Sequence, residues 1–140
     1  MRDRTPVQSL AMLVGATFLL VGILGFIPGI TTHYGDMSFA GHGSGAKLLG
    51  IFQVSILHNI VHLLYGVVGI MLARAPETAR TFLIGGGVVY LALWLLGIVG
   101  GGDWIPVNTA DNWLHFVLGL GMIALGFVTG RDLSRRTATA

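Results

Sequence analysis

The sequence predicts an all-α integral membrane protein, a four-helix transmembrane bundle made of two helix hairpins with a weak internal repeat. Hydrophobic residues make up 54% of the 140 residues and charged residues only 10%, whereas a typical soluble domain has about 25% charged residues. Four apolar segments each approach the roughly 17–25 residues that a helix needs to cross a bilayer. The 22 glycines lie mostly inside these apolar runs, where they let helix backbones approach closely in lipid.

The composition also excludes several function classes. So few charged residues argue against a disordered chain, a coiled coil and an ordinary soluble enzyme. The chain has no cysteine, so it has no disulfide, thiolate nucleophile or cysteine-ligated metal. The formal net charge is only +2, and in so apolar a chain the basic residues report on membrane orientation rather than on nucleic acid. We therefore expect the lipid bilayer as partner, together with a second copy or a larger membrane complex, and no nucleic acid.

The elements follow from the apolar segments of a single domain, residues 1–140. The first helix is expected at about 7–27, and its apolar stretch is longer than the roughly 7–15 residues of a signal peptide, so we expect it to be retained. A long outer loop at 28–50 follows, and loops of this length are either functional or mobile. The short turn at 74–78 is expected to pair helices two and three as an antiparallel hairpin. The three later helices are expected at about 51–73, 81–99 and 113–129.

The basic residues predict the orientation. With four crossings, every basic residue except Lys47 falls on one side of the membrane. By the positive-inside rule both termini are then cytoplasmic. We expect the membrane to be the inner (plasma) membrane of the cell. The inner-side residues are Arg2, Arg4, Arg74, Arg80, Arg131, Arg135 and Arg136. The outer side has the acidic residues Asp36, Asp103 and Asp111 and the interfacial aromatics Tyr34, Trp104 and Trp113.

A repeat becomes visible when helices two and four are aligned. Residues 58–66 (HNIVHLLYG) and 111–119 (DNWLHFVLG) both read [H/D]-N-x-x-H-x-x-x-G. The match predicts two helix hairpins related by a pseudo-two-fold axis along the membrane normal. Helices one and three match more loosely, through the glycine pairs Gly15 with Gly87 and Gly25 with Gly97.

The polar residues of this repeat are the candidate site. His58 and His62 are four residues apart and share one helix face, as do Asp111 and His115 on helix four. His58 and His115 both lie roughly 24 Å from the inner arginines at ~1.5 Å per residue. If helices two and four touch, these side chains converge in the outer half of the membrane. Two supporting polar residues lie beside them, Asn59 and Asn112.

Three interpretations of this cluster remain open. The side chains could hydrogen-bond across helices as structural contacts, of about 0.6–2 kcal/mol each. His58, His62 and His115 could bind a divalent metal, with Asp111 as a further ligand, or two of these histidines could hold a haem. The cluster could also relay protons or bind a lipid-soluble ligand such as a quinone from the outer side. A complete ion path is not expected, because the polar stripe does not continue inward.

The chain also resembles a known family. Residues 48–54 (LLGIFQV) and 57–66 (LHNIVHLLYG) are similar to the hallmark of the bacterial, mainly actinobacterial, membrane family called domain of unknown function 4383, and 111–115 are similar as well. The resemblance covers nearly the whole chain and implies a small four-helix membrane protein with no assigned activity. It draws attention to four site residues, His58, Asn59, His62 and His115.

The sequence therefore predicts a small multi-pass membrane protein of unassigned biochemical function, with a His/Asp/Asn cluster in the outer half of helices two and four. The alternatives are a metal- or haem-binding membrane protein and an accessory subunit of a larger membrane complex. Whether the protein is an enzyme stays open, because no nucleophile accompanies the histidines. Tyr90 and Trp94 are expected to be packing or interfacial residues.

Overall fold

The computed structural model describes residues 4–100 and 105–131. Within these ranges the predicted all-α fold is confirmed. Three of the helices, α1, α3 and α4, are long and apolar enough to cross a membrane, and α2 is a shorter apolar helix. The helices are α1 (Pro6–Leu24), α2 (Ile56–Leu72), α3 (Pro76–Ile98) and α4 (Thr109–Thr129). The expectations for Arg2, Asp103, Trp104, Arg135 and Arg136 lie outside the described residues.

Capping residues set two helix starts that differ from the expected ones. α2 begins at Ile56 rather than near residue 51, because the Ser55 side chain accepts a hydrogen bond from the backbone N–H of His58. α4 begins at Thr109 rather than near residue 113, because Asn108 and Asp111 form a reciprocal capping box. The polar residues at the start of each motif therefore belong to the first helical turn.

The other two helices also depart from the expected bounds. α3 begins at Pro76 rather than near residue 81, since proline is well suited to the first helical position, where no backbone donor is needed. Its first turn is therefore polar, so the apolar segment in the sequence begins only after the helix has started. α1 ends at Leu24, with Gly25 as its C-cap, rather than near residue 27.

The expected outer loop at 28–50 contains regular structure. Strands β1 (Thr31–Thr32), β2 (Lys47–Leu48) and β3 (Phe52–Gln53) form an antiparallel sheet in the order β1-β2-β3. A 3-10 turn, Tyr34–Asp36, lies between β1 and β2. Beneath the sheet a small apolar cluster of Ala46, Leu48 and Val54 packs against the end of α1. We call the end of the bundle that has this sheet the capped end.

The packing of the helices confirms two hairpins. α1 packs along α2 and α3 packs along α4, whereas α2 and α3 contact each other little. The expectation that the turn at 74–78 pairs helices two and three is therefore wrong. A short connection keeps the adjoining ends of two helices close together, but it does not make the helices pack along their length. In the centre, α1 meets α3, and the rings of Phe18 and Tyr90 stack with centroids 5.2 Å apart.

The two hairpins repeat each other in their contacts. Gly15 lies against the backbone of Gly66 and Ile70, and in the same way Gly87 lies against the backbone of Gly119 and Ile123. The asparagines repeat this relation, because the Asn59 side chain covers Gly25 and the Asn112 side chain covers Gly97. Close backbone approach at small residues is the usual way in which helices pack in lipid. The repeat seen in the sequence is therefore a repeat of packing.

Candidate functional site

The structure brings the three motif histidines together at the capped end. The ring centroids of His58 and His62 lie 4.3 Å apart, and those of His58 and His115 lie 6.5 Å apart. His62 and His115 are buried, and His58 is half-buried. The backbones of α2 and α4 contact each other little, so the site is formed by side chains that reach across the bundle.

His62 uses both of its ring nitrogens. Its Nδ1 lies 3.0 Å from the carbonyl oxygen of His58, and because a carbonyl only accepts, Nδ1 must be the protonated nitrogen. Its Nε2 lies 3.4 Å from the Tyr90 hydroxyl, which donates to it when the imidazole is neutral. Tyr90 also lies against His115, with ring centroids 5.2 Å apart. Tyr90 is thus a site residue, although the sequence alone predicts it to be a packing or interfacial residue.

Asp111 has a structural role at the start of α4. It is 2% exposed, and its Oδ2 accepts hydrogen bonds from the backbone N–H groups of Gln53 at 3.0 Å and Asn108 at 2.9 Å. It therefore joins the start of α4 to strand β3. This role has a sequence signal, since Asn108 followed three residues later by an acidic residue is a capping pattern.

The two asparagines are also structural residues. Asn59 is buried between Gly25 and the sulfur of Met37, to which its Nδ2 donates at 3.8 Å. Asn112 covers Gly97 in the corresponding position of the second hairpin. Both asparagines therefore hold the helices of one hairpin together near the capped end.

A cavity of about 140 Å³ lies beside the histidines. Its walls come from α2, α3, the start of α4 and the segment 105–107. None of the described residues that line it is Lys, Arg, Asp or Glu, and the surface that they present to the cavity is mostly apolar. The polar residues of the wall are Ser55, His58, His62, Tyr90 and His115.

Two of the histidines that line this cavity each have a ring nitrogen without a partner. Within residues 4–100 and 105–131, the Nδ1 atoms of His58 and His115 are buried and make no hydrogen bond. Buried polar atoms in proteins nearly always have a partner, so each exception calls for an explanation such as a bound water or ligand. Both nitrogens are themselves buried, and the surface that the described residues present to the cavity is almost entirely apolar.

The cofactor interpretations receive no support from this geometry. In the part of the chain that the structure describes, no group of three or more His, Asp or Glu side chains is arranged so that it could hold a metal ion. A cavity of about 140 Å³ is also smaller than the roughly 300–1,000 Å³ of sites for drug-sized ligands.

The fold and the site together define a small helical membrane protein with a histidine-lined cavity at one end of its bundle. The model of the family named domain of unknown function (DUF4383) matches residues 8–128, which extend from α1 to α4. The chain belongs to this family, and the resemblance noted in the sequence is confirmed. No curated protein and no solved structure matches the chain.

Proposed function

We propose that this protein is a multi-pass protein of the bacterial plasma membrane that binds a small, mostly apolar ligand in the cavity at its capped end. The main support is a cavity whose described wall is mostly apolar and includes the side chains of three histidines, His58, His62 and His115. Ligand sites typically combine an apolar wall with a few polar groups that fix orientation. Ionisable residues inside a membrane are candidates for function by default.

The proposed orientation places the cavity on the outer side, with both termini in the cytoplasm. Arg74 and Arg80 flank the turn between α2 and α3, at the end of the bundle away from the sheet, whereas Lys47 lies in β2. Arg4 precedes α1 and Arg131 follows α4, again at the end away from the sheet. An excess of basic residues marks the cytoplasmic side of a membrane protein.

A purely structural role explains only part of the cluster. It accounts for Asn59 and Asp111, which pair or pack within and between elements, and for His62, which uses both nitrogens. His58, His115 and Asn112 each keep one buried atom without a partner among the described residues, and of these three only the histidines line the cavity. A metal or haem site, a self-assembled form and a role as accessory subunit stay predictions.

The test is binding of toluene, a neutral apolar probe of the right size, to the purified full-length protein. A ligand at 100 times its Kd stabilises the folded state by about 2.7 kcal/mol, so toluene should raise the unfolding midpoint of the wild type. Val61→Trp and Leu93→Trp place a large ring at the cavity wall and should abolish this increase. Val68→Trp is the matched control, because Val61 and Val68 lie on the same helix and are both 48% exposed, and Val68 does not line the cavity.

The comparison between variants also removes the effect of toluene dissolved in detergent, which is the same for all of them. The expected result is an equal toluene-induced increase in wild type and Val68→Trp and a smaller or no increase in the two cavity variants. An increase that is the same in all four proteins, or absent from all four, contradicts the proposed function.

A further inference from the structure

The turn between β2 and β3, residues 49–51 (LGI), exposes apolar side chains at the capped end. Leu49 is 61% exposed and Ile51 is 53% exposed, with Gly50 between them. Turns that lie in water are usually made of Gly, Pro, Asn, Asp or Ser. We call residues 49–51 the apolar turn, and its composition suits lipid better than water.

The backbone of the apolar turn makes its leucine more unusual. Leu49 has a φ of 54°, in the left-handed region that bulky side chains rarely adopt. Gly50 follows with a φ of 72°. Glycine or asparagine would adopt the conformation of Leu49 with less strain. A leucine held in this conformation is best explained by a role for its apolar side chain.

Two hydrogen bonds place the apolar turn beside the start of α4. The side-chain amide of Asn108 donates to the carbonyl oxygen of Ile51 at 2.7 Å, and Asp111 accepts from the backbone N–H of Gln53 at 3.0 Å. α4 is long and apolar enough to cross a membrane. Trp113, near the start of this helix, is 65% exposed, and tryptophan is enriched at membrane–water interfaces. The apolar turn is therefore level with the end of a helix that crosses the membrane in the arrangement proposed above.

The length of α2 leads to the same depth. Its 17 residues extend over about 26 Å at ~1.5 Å per residue, whereas the hydrocarbon core of a bilayer is about 30 Å thick. Arg74 follows closely after the last residue of α2 and marks the membrane surface at that end. The missing length then falls at the capped end, where β3 leads into α2. We therefore expect part of the sheet to lie within the leaflet at the capped end.

The backbone of the apolar turn is bonded in the way that lipid requires. The N–H groups of its three residues all donate to backbone carbonyls, those of Ile30, Lys47 and Leu48, at 2.9, 3.1 and 3.1 Å. In the hydrocarbon region an N–H group without a partner is strongly disfavoured, because no water is present to accept its hydrogen bond. The turn can therefore enter lipid without leaving an N–H group unpaired.

The chain on the other side of β2 is polar. The loop that precedes β2, residues 42–45 (HGSG), lies beside the 3-10 turn, because the N–H of Gly45 donates to the carbonyl oxygen of Asp36 at 2.9 Å. His42 and Asp36 are both exposed. Lys47 is exposed on β2 itself, and a lysine side chain is long enough to extend from an apolar surface to the headgroups. The capped end is thus amphipathic, with a polar loop before β2 and the apolar turn after it.

We propose that the apolar turn is inserted into the leaflet at the capped end, with Leu49 and Ile51 among the lipid chains and the Lys47 ammonium at the lipid phosphates. The proposal rests on the membrane-spanning arrangement proposed above. The partner is lipid rather than a second protein, because the turn is level with the end of a membrane-spanning helix and continues its exposed apolar surface. The sheet then attaches to the bilayer in addition to the helices.

The test is spin labelling of single cysteines in the full-length protein, reconstituted in phosphatidylcholine vesicles. Leu49→Cys and Ile51→Cys each report on the apolar turn, so one remains informative if the other does not fold. Val117→Cys is the control for lipid, because Val117 is 62% exposed on α4, and Gly43→Cys is the control for water, because Gly43 is exposed in the polar loop.

The measurement is the accessibility of each label, in electron paramagnetic resonance, to oxygen, which concentrates in lipid, and to a water-soluble nickel chelate. We expect the labels at 49 and 51 to be more accessible to oxygen than to the chelate, as for Val117→Cys. The label of Gly43→Cys should show the reverse preference.

The other outcomes overturn the proposal in different ways. If the labels at 49 and 51 behave like that of Gly43→Cys, the apolar turn lies in water. If they are inaccessible to both reagents, protein covers the turn, and dipolar broadening between labels would identify that protein as a second copy of the chain. If the label of Val117→Cys also prefers the nickel chelate, the membrane arrangement in the proposed function fails as well.

Discussion

At the residue level, the two motif histidines at corresponding positions have different surroundings. His62 is bonded on both sides, to the carbonyl of His58 and to the hydroxyl of Tyr90. His115 faces Tyr90 through ring contact and leaves its Nδ1 without a partner among the described residues. The difference at Nδ1 lies within each helix, because the Nδ1 of His62 donates to the carbonyl oxygen of the residue four positions earlier and the Nδ1 of His115 makes no such bond. The two repeats therefore hold their histidine rings differently.

Substitution of Asp111 distinguishes a structural role of this residue from a role in ligand binding. Asp111→Ala removes the acceptor of two backbone N–H groups, those of Gln53 and Asn108. Because buried donors left without a partner cost about 1–3 kcal/mol, we expect a lower free energy of unfolding by about this amount. Asp111→Asn keeps one carbonyl oxygen as an acceptor and should lose less. Denaturant unfolding in detergent measures the difference.

The same variants should leave the toluene-induced increase of the unfolding midpoint unchanged, because Asp111 does not line the cavity. Loss of the toluene effect in Asp111→Asn, with normal stability, would instead place this carboxylate in the binding site, in line with one interpretation of the sequence.

At the level of the elements, glycine contacts decide how the helices of each hairpin pack. A Cβ atom added to Gly66 would lie 2.8 Å from the carbonyl oxygen of Gly15 and 2.8 Å from the Cα of Leu19. Both are backbone atoms, so α1 and α2 would have to separate. A Cβ atom added to Gly121 of α4 would meet no neighbouring element within 4 Å among the described residues, although Gly121 lies in an equally apolar helix.

We therefore predict that Gly66→Ala lowers the free energy of unfolding by about 1–3 kcal/mol, the usual cost of overpacking. Gly121→Ala should change it little or raise it by up to about 1 kcal/mol, because alanine is the better helix former. Thermal unfolding of both variants in the same detergent is the measurement. Equal stability of the two variants would mean that α1 and α2 do not touch at Gly66.

At the level of the whole molecule, structural features that rest on patterns over many residues can be predicted from the sequence, and features that depend on a few residues cannot. Apolar segments long enough to span a bilayer predict four helices, and the motif shared by 58–66 and 111–119 predicts two equivalent hairpins. The sheet of the capped end cannot be predicted from the sequence, because each strand has only 2 residues, too few to show a period-2 alternation. The place of Tyr90 in the site cannot be predicted either. An aromatic residue in an apolar helix usually packs against other side chains, and the sequence does not show that its neighbours are histidines.

The last prediction concerns the orientation of the whole molecule in the membrane. The chain has no cysteine, so a single introduced cysteine is the one site in the protein that a thiol reagent can label. Gly43 is exposed within the capped end, and Glu77 is exposed at the start of α3, near the arginines. Because basic residues mark the cytoplasmic side, a membrane-impermeant maleimide should label Gly43→Cys in intact cells and Glu77→Cys only after the membrane is opened. The opposite labelling pattern would mean that the orientation is inverted and that the cavity lies on the cytoplasmic side. Labelling of both cysteines in intact cells would mean that the helices between them do not cross the membrane as proposed.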